Sequence, residues 1–237
     1  MWYKKVNNLL SKGGNTKTDK NEYLTYNLSL APYTLNDKGV NMCPMASQGC
    51  AAACLNETGR GVFSNVSQAR INKTNYYVYD RINFLDQLSQ EIIGVASRTH
   101  RTGEMVALRL NTYSDQDFVY KLKKYVDMDV LNDDFYSNIL FYDYTAMPNK
   151  VKRYIGTTYY HALSRKEDNE QDVLDVLGMG GNVAAVFRSK LPKTYKGYPV
   201  VDGDKTDLEM TKHKGVVLGL IAKGKKAKND TSGFVID

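Results

Sequence analysis

Apolar residues recur along this chain in two periods, and the switches between them outline its elements. In residues 23–32 (YLTYNLSLAP) apolar and polar side chains alternate well enough for a first strand. Residues 64–80 follow a helical period with Val66, Ala69, Ile71 and Tyr76 facing inward, and residues 81–98 follow it more strongly. There Leu85, Leu88, Ile92 and Val95, at spacings of three and four, form one apolar stripe. From residue 105 the chain falls into a strand–helix rhythm. Near-continuous apolar runs at 105–110, 139–142, 158–163, 182–187, 198–201 and 216–222 predict strands, and helices are expected at 115–127, 150–154 and 170–177. Such alternation argues for a parallel sheet with both faces covered. The expected fold class is α/β: a single domain over 21–237, built as a partial or distorted β/α barrel of mostly parallel strands. An open doubly wound sheet is the alternative. Residues 1–20, polar and containing Gly13-Gly14, read as a flexible N-terminal arm.

Composition narrows the classes. With 237 residues and a hydrophobic fraction of 42%, the chain can bury a sizeable core. No stretch approaches the roughly 18 apolar residues of a membrane-spanning helix. The start turns polar before any run of signal-peptide length, so a cytoplasmic protein is expected, with no membrane partner. The formal charge of +6 and the isoelectric point near 9.0 permit nucleic-acid contact, although a solvated basic surface explains them as simply. Eighteen tyrosines could stack on bases. Tyr142, Tyr144, Tyr159 and Tyr160, however, fall in strand-like runs where packing accounts for them. The lysines at 223, 225, 226 and 228 read as a solvated turn. Phosphate-binding glycine loops, H-E-x-x-H and G-x-S-x-G are all missing from the sequence.

The cysteines change this picture. All three lie within residues 43–54, spaced C-x6-C-x3-C. Three alanines separate Cys50 from Cys54, so a helix there would put both thiols on one face. Cys43 precedes Pro44 and would come in from an extended segment. A single free cysteine is ordinarily a small buried hydrophobe, and a disulfide would leave one thiol over. Three clustered thiols suggest a metal. Zinc is one alternative, with His100, His161 or His213 as fourth ligand, but structural zinc sites usually draw paired ligands from two places. A 4Fe–4S cluster fits the spacing better: three cysteines hold three irons and leave the fourth to another group.

Polar residues follow the proposed strands at Asn111, Ser114, Asp115, Asp143, Arg165, Arg188, Asp202, Asp204 and Lys223. This rim is where parallel α/β folds bind ligands, and the cysteine segment, following the first strand, would share it. Asp115, Asp143 or His161 could supply a fourth ligand or support the metal. Asn111, Arg165, Arg188, Asp202, Asp204 and Lys223 are the candidates for binding substrate, with the two arginines suited to a carboxylate or phosphate. His161, inside a strand, is more simply a core histidine.

Several segments together resemble the bacteriophage "gene product eighty-eight" family: 27–32 (NLSLAP), 43–55, 59–61 (GRG), 68–74 (QARINKT), 109–111 (RLN) with Ser114 and Asp115, 141–145 (FYDYT), 180–184 (GGNVA), 202–204 (DGD) and 232–236 (SGFVI). The resemblance implies a phage or prophage origin, work in the cytoplasm of an infected bacterium, and no settled reaction. A looser likeness is to radical SAM enzymes, which join a three-cysteine 4Fe–4S cluster to a β/α barrel. Their spacing, C-x3-C-x2-C, differs from the one here, and no glycine-rich segment can be assigned to SAM. Two functions are therefore expected. One is an iron–sulfur redox or SAM-type enzyme acting on an unknown small molecule. The other is a non-catalytic, metal-stabilised protein that engages a host factor or nucleic acid.

Overall fold

The computed structural model describes residues 3–4, 6–13 and 20–237, without the side chains of residues 57 and 60. In chain order its elements are β1 (Leu10–Lys12), β2 (Leu24–Leu28), α1 (Gln48–Ala52), α2 (Ser64–Tyr79), α3 (Arg81–Thr102), β3 (Val106–Arg109), α4 (Phe118–Val126), β4 (Ile139–Thr145) and α5 (Pro148–Tyr154). There follow β5 (Tyr159–Ser164), α6 (Glu170–Gly178), β6 (Asn182–Phe187), β7 (Thr194–Tyr195), β8 (Tyr198–Asp202), α7 (Glu209–Lys212), β9 (Val217–Ile221), α8 (Gly224–Lys228) and β10 (Val235–Ile236). The strands join one sheet in the order β1-β2-β3-β4-β5-β6-β9-β8-β7, with β10 pairing β6 off this path. Only β1 against β2 and β7 against β8 are antiparallel. The α/β class and the mostly parallel sheet are as expected. From β2 to β6 the strands lie side by side in chain order, the winding of a barrel, without the reversal of a doubly wound sheet. The sheet does not close.

The helices gather on one face. Phe84, Leu85, Leu88 and Ile92 of α3 pack with Phe118 and Leu122 of α4 on Tyr26, Leu28, Val106, Leu108 and Phe141. Val173, Val176 and Leu177 of α6 continue this layer over Leu163, Val183, Ala185 and Val217. The opposite face is not layered with helices as expected. It is lined by Ala107, Tyr142, Ala162, Ala184 and Leu218, and only the short segment carrying Leu208 and Met210 packs on it. The large tyrosine rings fill space that a helix would otherwise occupy.

Part of the stretch read as an arm takes part in the sheet. Leu9 is fully buried, and Glu91 of α3 accepts hydrogen bonds from the main-chain N–H groups of Leu9 and Leu10 at 2.8 and 2.7 Å. These bonds set β1 along β2; residues 14–19 lie outside the described ones. At the far end, β5 stops pairing with β6 at Ser164↔Ala184, and β10 takes the place beside Val186 and Phe187. The C-terminal segment is thus threaded over the C-terminal ends of the parallel strands. Among the described residues no helix is long and apolar enough to cross a membrane.

Candidate functional site

The cysteine loop leaves β2, crosses the C-terminal rim of the sheet and returns through α2. It is suspended at several points. Met42 is fully buried, and its carbonyl accepts from the N–H of Asp115 at 2.9 Å and from Nε2 of Gln116 at 3.1 Å. Next to it, the Cys43 N–H donates to Oδ1 of Asn41 at 2.8 Å, and its thiol donates to the carbonyl of Tyr113 at 3.4 Å. Ser47 caps α1 by accepting from the N–H of Cys50. Glu167, from the loop after β5, accepts from the Ser47 hydroxyl and the Gly49 N–H, both at 2.7 Å. A carboxylate at the start of a helix satisfies donors that the helix leaves unpaired.

The helix is shorter than its alanines predict. It ends at Ala52, and Cys54 has extended dihedrals, φ −57° and ψ 129°. Cys50 and Cys54 therefore do not share a helix face. Gly59–Val62 form a separate single turn. Five residues cannot sustain a helix by propensity alone, so the anchors at Ser47 and Glu167 decide its length.

Gly49 lies where the C-terminal segment presses on α1. A methyl group there would stand 2.6 Å from Cβ of Phe234 and 2.9 Å from Oε2 of Glu167. Gly49→Ala is expected to lower stability by about 1–3 kcal/mol, as overpacking does, and to shift Cys50. A urea midpoint equal to that of the wild type would show that nothing presses on this position.

The three thiols nevertheless lie within electrostatic reach of one another. All are half-buried. Burial pushes Cys43 up to about 12 and Cys50 up to about 11, and the neighbouring sulfurs push both further the same way. Tyr33 lies near them, its carbonyl accepting from the Met42 N–H at 3.0 Å. Burial, followed by the charges of Cys50, Cys54 and Cys43, holds the Tyr33 hydroxyl above its usual range. Lys166, itself buried, draws Cys50 the other way, and Asp115 reinforces the rise at Cys43.

This arrangement predicts a pH dependence for the metal-free protein. Folded thiols with raised values keep protons that unfolded thiols, near 9.0, release. Their contribution to stability is complete below about pH 9 and is lost as the pH rises towards about 12. Denaturation midpoints should fall across that window, and by less in Cys43→Ser. An equal fall in both proteins would place the titration elsewhere.

The rim residues divide into separate groups. Asn111, Asp115 and Asp143 form one buried network with Ser114 beneath Cys43. Asp143, fully buried, accepts from the Asn111 N–H at 2.8 Å, from its Nδ2 at 2.9 Å and from the Tyr159 hydroxyl at 2.5 Å. Asp115 accepts from Thr145 Oγ1 and the Ala146 N–H, both at 2.7 Å, with Nζ of Lys150 at 3.5 Å. Burial pushes the Asp143 carboxyl up, against Lys150, Tyr159 and Asn111. His161 lies beside Asp143 in register, its ring against Tyr154 and Tyr159. Burial and then Lys150 hold it neutral, and its Nε2 has no hydrogen-bond partner among the described residues.

The two arginines are not turned to a common focus with these groups. Arg165 donates to the carbonyls of Gly233 and Phe234, and Arg188 to those of Lys228 and Asp230 and to the Asp237 carboxylate. They bind this chain's own C-terminal segment. Asp204 accepts from Lys223 at 2.7 Å and from the Ile221 N–H at 2.8 Å, and Asp202 accepts from the Asp204 N–H at 2.9 Å, a third and separate group. Of the candidate rim residues, Asp115 and Asp143 share the network below Cys43, while Arg165, Arg188 and Lys223 pair elsewhere. Strand ends share a rim, but each side chain pairs with the nearest complementary group.

Tyr33, Lys150, Lys166 and Glu167 belong to the site and were not singled out from the sequence. Tyr33 follows the first strand directly, which is the one signal that could have marked it. The other three meet their partners only through tertiary contacts.

These features define an α/β protein with three clustered thiols over the C-terminal rim of a singly wound, mostly parallel sheet. A family model described as Gene product 88 matches residues 4–237, and the chain belongs to that phage family. No curated protein and no solved structure matches it.

Proposed function

We propose that this phage protein binds a 4Fe–4S cluster through Cys43, Cys50 and Cys54 and works as a redox enzyme in the cytoplasm of the infected bacterium. The observation that carries the reading is that one loop supplies three half-buried cysteines within electrostatic reach of each other. As thiolates they would repel one another in a partly desolvated place, and a metal group would remove that cost. Soft thiolate donors suit iron–sulfur clusters and zinc. Among the described residues no three His, Cys, Asp or Glu side chains are grouped so as to hold a metal ion. The ligands of a cubane bind separate irons and stand farther apart than the ligands of one ion.

When bound, such a cluster would supply one-electron chemistry, with SAM as a co-substrate if its fourth iron stays open. Of the candidates for that position, Asp115 has electrostatic reach of Cys43. Its bonds to Thr145, Ala146 and Lys150 would orient it. Because each thiol must give up a proton to bind, uptake of iron is expected to strengthen with pH. Anaerobic purification with iron and sulfide analysis and an absorption spectrum tests the reading. About four irons and four sulfides per chain are expected for a full cubane; zinc without sulfide would overturn it.

A second reading rests on a shallow groove along α1, lined by Gln48, Ala52, Lys225, Lys226 and Asn229. Here the metal would only stabilise the loop, and the lysines would meet nucleic acid or another acidic partner from the host. Binding that weakens steeply with salt, together with no redox turnover, would favour it.

A further inference from the structure

Helix α2 supports the cysteine loop at both of its ends, and Arg70 is the side chain that joins them. Arg70 is buried, a place where a guanidinium is rarely found without partners for its donors. Its Nη1 donates to Oδ1 of Asn56 at 2.6 Å and to the Asn56 carbonyl at 3.3 Å, two residues beyond Cys54. Its guanidinium carbon stands 3.9 Å from the centroid of the Tyr113 ring, and the Tyr113 carbonyl is the group that accepts from the Cys43 thiol. Asn56 is itself buried, and the turn carrying Gly61 closes on the same pair: a methyl group there would collide with the Asn56 carbonyl and stand 3.2 Å from Nη1. One turn along α2, the Thr74 hydroxyl donates to the Arg70 carbonyl at 2.9 Å. It accepts from the Ala31 N–H at 2.8 Å, just after the loop leaves β2. Cys50 is held by other groups, through α1 by Ser47 and Glu167.

We infer that Arg70 is a positioning residue of the thiol site: its bonds to Asn56 and its contact with Tyr113 hold Cys54 and Cys43 in place together, while Cys50 is fixed independently. Arginine suits this role because its planar fork can donate to an amide oxygen and a carbonyl while its face rests on an aromatic ring. The placement of the thiols does not depend on the identity of the metal. The consequence for iron rests on the iron–sulfur reading above, since losing a partner that orients ligands typically weakens metal binding about tenfold or more.

The test alkylates the metal-free protein with iodoacetamide and reads each cysteine separately by peptide mass spectrometry. Arg70→Met removes the guanidinium at similar length. Asn56→Ala removes only the amide acceptor, and Tyr113→Leu only the ring, since the Tyr113 carbonyl belongs to the main chain. These two variants decide the question if Arg70→Met fails to fold. In Arg70→Met, Cys43 and Cys54 should both react about tenfold or more faster than in the wild type, as loss of a buried charge-assisted hydrogen bond allows. Asn56→Ala should speed Cys54 alone and Tyr113→Leu Cys43 alone, with Cys50 at the wild-type rate in all three. After reconstitution, Arg70→Met should hold iron about tenfold or more weakly against a chelator. An equal rise at all three cysteines, a rise at only one of them in Arg70→Met, or unchanged rates at Cys43 and Cys54 would overturn the inference. Wild-type protein without iron and sulfide would overturn the cluster reading alone, and the alkylation pattern would still decide the role of Arg70.

Discussion

Replacing Cys43, Cys50 or Cys54 singly by serine is expected to strip the protein of iron or leave it with a small residue of its metal. A hydroxyl is a far poorer ligand for iron than a thiolate, and the described residues offer no fourth cysteine to take over. The three positions should not respond identically. Cys43 hangs from the buried Met42, and Cys50 is held through α1 by Ser47 and Glu167, so their serine variants should keep the loop in place while losing the metal. Cys54 lies past the end of the helix, where the loop turns towards α2. Stability should fall with the metal, since a group that binds only the folded state adds its binding energy to folding. Iron and sulfide analysis of each purified variant, with thermal denaturation alongside, measures both effects. Full iron content and an unaltered spectrum in all three variants would sink the ligand assignment.

The second large effect is expected on the face of the sheet away from the helices. Asp207 is almost completely buried there and pairs with Arg109 at 3.2 Å. Its other oxygen accepts from the Tyr144 hydroxyl at 3.1 Å, and the Tyr142 hydroxyl stands at 3.4 Å. Asp207→Ala would leave a guanidinium with little access to water and without its carboxylate, and breaking a buried pair from one side costs about 3–5 kcal/mol. The charge itself is not what the fold requires. The double change Arg109→Met with Asp207→Leu should recover much of the loss, because well-packed apolar pairs often replace buried ion pairs at little cost. Urea denaturation of the two variants decides between these accounts. A single variant within about 1 kcal/mol of the wild type would show that Arg109 finds water.

Much of the fold could be read from local pattern. The apolar stripe expected over 81–98 is α3, which runs on to Thr102 until Gly103 closes it at φ 71°. The helix expected from 115 starts only at Phe118, because Asp117 caps it and Asp115 turns into the loop below Cys43. Strands β3, β4, β5, β6, β8 and β9 stand where the apolar runs predicted them. The short elements were not legible. β1, β7 and β10 have two or three residues each, too few for a period to show, and they exist because a partner strand supplies their hydrogen bonds. The cysteine helix failed in the opposite way: its alanines favour a helix through Cys54, and the contacts of the loop end it at Ala52.

The candidate site divides along the same line. The sequence by itself determined that three thiols come from one short segment, that this segment follows a strand, and that polar residues end the strands after it. Those are statements about neighbours along the chain, and covalent connection enforces them wherever the chain goes. Only the tertiary structure decided that Tyr33 comes within electrostatic reach of the cysteines, that Glu167 holds a helix 120 positions before it, and that Arg165 and Arg188 close on the C-terminal segment rather than on a ligand. A carboxylate or a guanidinium carries its charge in the sequence but not its partner. The partner is whichever complementary group the packing of the sheet and helices brings within hydrogen-bonding distance.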